Sequence, residues 1–137
     1  MAKQIFGTAI NDSPTLCGVA ATEITDVRGK AVKFDDNGNI VLASTAGEVV
    51  AGIAIPTAGD PEGKVLAGGT VDYQIKDCGM AIAGAEIKSG VPVMADANGK
   101  VITATAGKFV IGYAITSAEA DEWVHIQIAK GYCPTAS

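Results

Sequence analysis

The strongest constraint on this chain is an internal repeat. Gly29-Lys-Ala-Val-Lys-Phe-Asp-Asp-Asn-Gly-Asn-Ile-Val lines up with Gly90-Val-Pro-Val-Met-Ala-Asp-Ala-Asn-Gly-Lys-Val-Ile, 61 residues later. After a one-residue gap, Thr45-Ala-Gly-Glu-Val-Val-Ala-Gly-Ile-Ala-Ile matches Thr105-Ala-Gly-Lys-Phe-Val-Ile-Gly-Tyr-Ala-Ile at a separation of 60. The match extends backwards through Cys17-Gly18-x-Ala20 and Cys78-Gly79-x-Ala81. It also runs forwards, more loosely, through Val71-Asp-Tyr-Gln-Ile and Val124-His-Ile-Gln-Ile. Shared strings in the same order argue against chance similarity in an Ala/Gly/Val-rich chain. The pattern predicts pseudo-repeats at 17–77 and 78–133, a short tail at 134–137, and a preceding arm at 1–16.

Each unit reads as β-structure. Asp35-Asp36-Asn37-Gly38 and Asp96-Ala97-Asn98-Gly99 place Asn-Gly between apolar segments, a hairpin signal, because a tight turn needs residues that accept positive φ. The final segment alternates: Val124, Ile126 and Ile128 point one way, Trp123, His125 and Gln127 the other. Val71, Tyr73 and Ile75 do the same against Asp72, Gln74 and Lys76. Gly52 and Gly112 interrupt β-prone runs at matching places, as a bulge or a close backbone approach requires. Helical signals are weak: Ser117–Glu122 reads as a helical turn or a polar connection, and Pro56–Lys64 as an exposed, turn-rich one. Apolar residues are 48% of the chain but aromatics only 5%, with 17 glycines. That mix suits strands packed through small and β-branched side chains. The expected fold is all-β: one compact β-barrel or β-sandwich-like domain built from two tandem pseudo-repeats, with an extended N-terminal arm. Ile5, Phe6 and Ile10 in that arm either pack back on the domain or dock on a partner by strand addition.

Several function classes are disfavoured. The net charge is −5, from 10 basic and 15 acidic residues, without a Lys/Arg stripe of the kind that grips phosphate backbones, so no nucleic-acid partner is expected. No apolar run approaches the ~20 residues of a membrane-spanning helix, and the first ten residues are too polar for a signal peptide. No membrane association and synthesis in the cytoplasm are therefore expected. The single histidine, His125, has no nucleophile motif beside it and reads as a surface or interface residue rather than a catalytic one. Cys17, Cys78 and Cys133 are odd in number and widely spaced, which fits reduced thiols; one inter-subunit disulfide is the other option. A zinc site from these thiols and His125 lacks the usual short chelating spacing. The matching repeat positions of Cys17 and Cys78 instead predict small buried or partly buried packing residues. The Asp-x-Asn-Gly strings lack the further ligands of a calcium loop. No enzyme activity, cofactor or metal is expected.

The stretch Ala85-Glu-Ile-Lys-Ser-Gly-Val-Pro-Val-Met-Ala-Asp-Ala-Asn-Gly-Lys-Val-Ile-Thr, continuing to Gly112-Tyr-Ala-Ile, resembles the capsid cement, or head decoration, proteins of tailed phages. Their Lys-x-Gly-x-Pro-Val-x-x-Asp-x-x-Gly-Lys-Val-Thr stretch precedes a Gly-x-Ala strand and a Val-rich final strand. The likeness covers most of residues 17–130 and rests on turn and strand patterns rather than chemical signatures. The resemblance implies a small β-rich structural protein of the bacteriophage virion, bound to the capsid exterior. Its implied partner is the major capsid protein, and its implied assembly a homo-oligomer, with a trimer favoured. In that role it would stabilise the expanded head. A clear duplication is less typical of that family. The parts that do not repeat are the expected interface: Ile5, Phe6 and Ile10 of the arm, the 56–70 connection, and the Trp123/His125/Gln127 face. The alternative is a β-sandwich binding module for carbohydrate or a cell surface, for which only Trp123 and Tyr132 are candidate exposed aromatics.

Overall fold

A computed structural model describes residues 13–135. Ten strands form in chain order: β1 Thr15–Val19, β2 Ala31–Phe34, β3 Ile40–Leu42, β4 Gly52–Ala54, β5 Thr70–Gln74, β6 Cys78–Ile82, β7 Pro92–Ala95, β8 Val101–Thr103, β9 Phe109–Ala114 and β10 Trp123–Tyr132. No helix occurs among the described residues, and Ser117–Glu122 is a turn-rich connection. The strands form two five-stranded antiparallel sheets, ordered β1-β5-β4-β2-β3 and β6-β10-β9-β7-β8. Adding five to each label of the first sheet gives the second. The sheets pack in a sandwich-like arrangement, and within each unit the chain just past the first outer strand bridges the opposite outer strand, Ala20 to Ile40 and Ala83 to Val101.

The local chemistry is repeated in detail. In the β2–β3 hairpin the Asp35 carboxylate accepts the N–H groups of Asn37 and Asn39, each at 2.9 Å, and Gly38 takes φ +81°. In the β7–β8 hairpin Asp96 holds Asn98 and Lys100 at 2.8 and 2.9 Å, and Gly99 takes φ +81°. The hairpins are therefore five-residue loops organised by the aspartate, not two-residue Asn-Gly turns, and only the glycine has positive φ. The 56–64 connection contains the same device, since Asp60 accepts the N–H groups of Glu62 and Lys64 at 2.8 and 2.9 Å. Gly52 and Gly112 mark close approaches: an added Cβ would lie 2.1 Å from the Gln74 carbonyl oxygen and 2.0 Å from that of Gln127.

The register corrects the sequence alignment at its start. Cys17 faces Asp72 and Cys78 faces Gln127. Asp72 corresponds to His125, which faces Met80, so Cys17 corresponds to Met80 and Cys78 to Thr15. The Cys-Gly-x-Ala match is two residues out, because the β1–β2 connection is two residues longer than the β6–β7 connection. The thiols are not equivalent packing residues. Cys17 and Cys78 are both exposed and Cys133 is half-buried. Thr15 and Leu16 open β1.

Two apolar clusters hold the fold together, and they are not equivalent. Val32, Ile40, Ala54, Val71 and Tyr73 form a core belonging to the first unit alone, covered by Ile24 and Val65 from its loops. Ala31, Ala43, Val50 and Ile53 instead join the core of the second unit, with Ala95, Val101, Phe109 and Ile111. One face of the first sheet thus packs on a different face of the second, a head-to-tail relation rather than a two-fold one. Backbone bonds tie the seam. Gly47 N–H donates to Ala95 O at 2.8 Å, Phe109 N–H to Gly47 O at 3.2 Å, and Ala31 N–H to Gly99 O at 2.6 Å. No polar or charged residue is buried among those described, so the interior is held by apolar area, at roughly 25 cal/mol per Å² removed from water.

Candidate functional site

The described surface carries exposed apolar and aromatic side chains, among them Phe34, Val49, Tyr113, Trp123 and Tyr132. Ile5, Phe6 and Ile10 lie outside the described residues. The other three expected interface residues lie on β10 and alternate outward, Trp123 and Gln127 exposed and His125 half-buried, while Val124 and Ile126 are fully buried. They do not behave as one group. The Trp123 ring packs over Gly29 at the seam between units, with Ile82 beside it. His125 contributes its backbone, donating N–H to Thr116 Oγ1 at 3.1 Å and accepting from Ile115 N–H at 2.7 Å. Its ring stands beside Met80 on the neighbouring strand.

Gln127 belongs to a longer row. Cys78, Gln127, Tyr113 and Pro92 stand side by side across β6, β10, β9 and β7. Such directly opposed residues share one face of the sheet. Tyr113 is 48% exposed. Sequence reasoning passed it over, although its alignment with Ile53 was legible: an aromatic replaces an aliphatic side chain at an otherwise matched position. Beyond a register shift between Ile128 and Gly131, β10 continues along β9, and Tyr132 meets Phe109 edge-on at 5.6 Å. Below it, Pro92, Val110, Tyr113 and Tyr132 line a shallow pocket. Trp123 packs across the seam over Gly29 and Tyr132 packs on Phe109 of its own unit, so the two are not paired into a sugar-stacking platform.

A second apolar groove opens at the seam, lined by Phe34, Val49, Val50, Ala51, Phe109 and Lys130. Phe34 is 53% and Val49 57% exposed. The Lys130 ammonium donates to the Ala51 carbonyl, and desolvation there pushes its pKa down. Beside the groove Lys33 pairs with Glu48 at 2.7 Å. Burial alone would push the Glu48 carboxyl up. The Lys33 ammonium and the N–H groups of Ser44 and Thr45 outweigh it and hold the pKa below its ordinary value. A bond to Arg28 lowers Asp26, and backbone N–H groups of Lys64 and Glu62 lower Asp60. All these groups fix loops. Cys17, Cys78, Cys133 and His125 are not gathered: among the described residues no cluster of three or more His, Cys, Asp or Glu side chains is placed to hold a metal ion.

Comparison with known proteins supplies a context. Residues 61–128 match the family model described as phage cement protein, a span running from the approach to β5 through most of β10. No curated protein sequence matches the chain. The fold is shared with the crystal structure of the head fiber N base of bacteriophage phi29, at 18% identity and a TM-score of 0.60, covering 84% of this chain and 92% of that one. At that identity the likeness is one of fold.

Proposed function

This chain belongs to the phage cement protein family, and from that premise we propose that it binds the outer surface of a phage head and stabilises the expanded shell. In this reading it is made in the host cytoplasm, joins the virion as a structural rather than an enzymatic component, and has the major capsid protein as its partner. Homo-oligomers, trimers foremost, would multiply weak subunit contacts into avidity. The observation that carries the reading is the family match across the second unit. Its support is a surface that carries apolar grooves and exposed aromatics.

The mechanism is linkage. A protein that binds only the expanded lattice stabilises that lattice by mass action. The 1–16 arm, through Ile5, Phe6 and Ile10, clamps onto capsid or a neighbouring subunit, and the Trp123/His125/Gln127 face adds contact area. The test is co-sedimentation with expanded and unexpanded capsids, followed by thermal disruption of the shells. Retention on expanded shells alone, with a raised disruption temperature, is the expected result. Equal binding to both forms, or none to either, removes the proposal. Deleting residues 2–12 should lower occupancy without unfolding the domain, and full occupancy by the shortened chain would sink the clamp.

A further inference from the structure

Because the two units are equivalent in sequence and topology, each buried contact between them has two exposed counterparts, one on each unit. Ile53 and Ala31 of the first unit are 1% and 0% exposed against the second unit. Their counterparts by register are Tyr113 and Pro92. Tyr113 is 48% exposed and Pro92 half-buried. On the other side of the seam, Ala95 and Phe109 are 0% and 8% exposed. Their counterparts in the first unit are Phe34 and Val49, at 53% and 57%. Gly99, beneath the first unit, is buried, whereas its counterpart Gly38 is exposed. The seam thus has a donor face and an acceptor face. Each chain carries one more of both, with bulkier Tyr113 and Phe34 where the seam has Ile53 and Ala95.

We infer that a second copy of this chain is the partner of these faces: the Tyr113/Pro92 face of one copy packs on the Phe34/Val49 groove of the next, continuing head-to-tail the contact the two units make within one chain. A heterologous contact of this kind either closes into a ring or runs on as a filament. A closed ring of three would present six units in succession. The inference deepens the oligomeric part of the functional reading and does not depend on capsid binding.

The intermolecular contact differs from the internal one in a defined way. Pro92 has no N–H to offer where Ala31 donates to Gly99. The Gly107 N–H, counterpart of the Gly47 donor, is already bonded to the Cys133 carbonyl at 2.9 Å. Two backbone bonds of the seam are therefore missing, and two tyrosine rings, Tyr113 and Tyr132, stand in their place. The contact between copies keeps fewer backbone bonds than the covalently tethered seam and is weaker than it, as suits subunits that assemble reversibly.

The experiment uses two full-length variants, Tyr113→Asp, which spoils one face, and Phe34→Asp, which spoils the other. Light scattering should show the native chain as an oligomer and each variant alone with that oligomer lost. Mixed in equal amounts, the variants retain one intact face each. They should form a dimer that grows no further, which also shows that both are folded. A native chain that stays monomeric at all concentrations overturns the inference, as does a mixture that stays monomeric or variants that keep the native mass. If the native chain is monomeric and either variant loses only capsid binding, the capsid covers the face, and the inference fails while the functional reading stands.

Discussion

Ile53→Ala probes the seam most directly. The substitution removes three carbon groups from a side chain that is 1% exposed. At ~0.8 kcal/mol per buried methylene, the transfer contribution is about 2.4 kcal/mol. The neighbours Ala31, Ala95, Phe109 and Ile111 sit mostly in strands tied by backbone hydrogen bonds, so they relax only partly into the hole. Such truncations lose roughly 2–5 kcal/mol, and about 3–4 is expected here. That is a large share of a total stability of roughly 5–15 kcal/mol. The counterpart change, Tyr113→Ala, discards a ring already half in water and should lose about 1 kcal/mol or less. Trp123 packs over Gly29 between the units, and the chain has one tryptophan, so its fluorescence in a urea titration reports separation of the seam. With a slope of about 2 kcal/mol per molar, Ile53→Ala should lower the midpoint by roughly 1.5–2 M with the slope unchanged. Titrations run at high dilution keep self-association from adding to the Tyr113 value. A loss under about 1 kcal/mol at Ile53, or equal losses at both positions, would refute the asymmetric seam.

Gly112→Ala should destabilise by about 2–3 kcal/mol or more, read as a lowered melting temperature, because the new Cβ would sit 2.0 Å from the Gln127 carbonyl oxygen and must push β9 from β10. The folded-state pKa values of Glu48, Asp26 and Asp60 are depressed. Their stabilising effect is therefore complete above the unfolded carboxylate value of about 4 and is lost as pH falls through the folded values. Urea midpoints should be flat from about pH 5 to 8 and drop below about 4, with a shallower drop in Glu48→Gln; a steep loss near neutral pH would contradict this. A thiol reagent should label Cys17 and Cys78 in the native protein, both being exposed. Desolvation and the neighbouring Asp72 carboxylate raise the Cys17 pKa, so Asp72→Asn should speed labelling at Cys17. Mass spectrometry of the labelled peptides checks both points, and protection of the two thiols until unfolding would show them buried after all.

How much was legible follows from how local each feature is. The hairpins at Asp35–Asn39 and Asp96–Lys100 were readable because an aspartate and a glycine three residues on organise their own backbone. The third such turn, at Asp60–Lys64, uses the same chemistry. The sequence marks Pro56–Lys64 as turn-rich but not its likeness to the two hairpins, because Asp60-Pro-Glu-Gly lacks the Asn-Gly pair. Gly52 and Gly112 announced a close approach that the structure contains. The outward row Trp123, His125 and Gln127 followed from period-two alternation, but its neighbour Tyr113 did not, since sharing a face across strands depends on register.

The sequence by itself determined an all-β chain with its strands, its main turns and a unit written twice, because these depend on residues a few positions apart. Only the tertiary structure decided the fate of each copy. Ile53 and Tyr113 hold the same place in the pattern, as do Ala95 and Phe34, yet one of each pair is buried and the other is wet. Local chemistry is blind to that difference. Burial is set by what lies on the far side of the sheet, and in a head-to-tail pair one copy of each face necessarily has no neighbour within the chain.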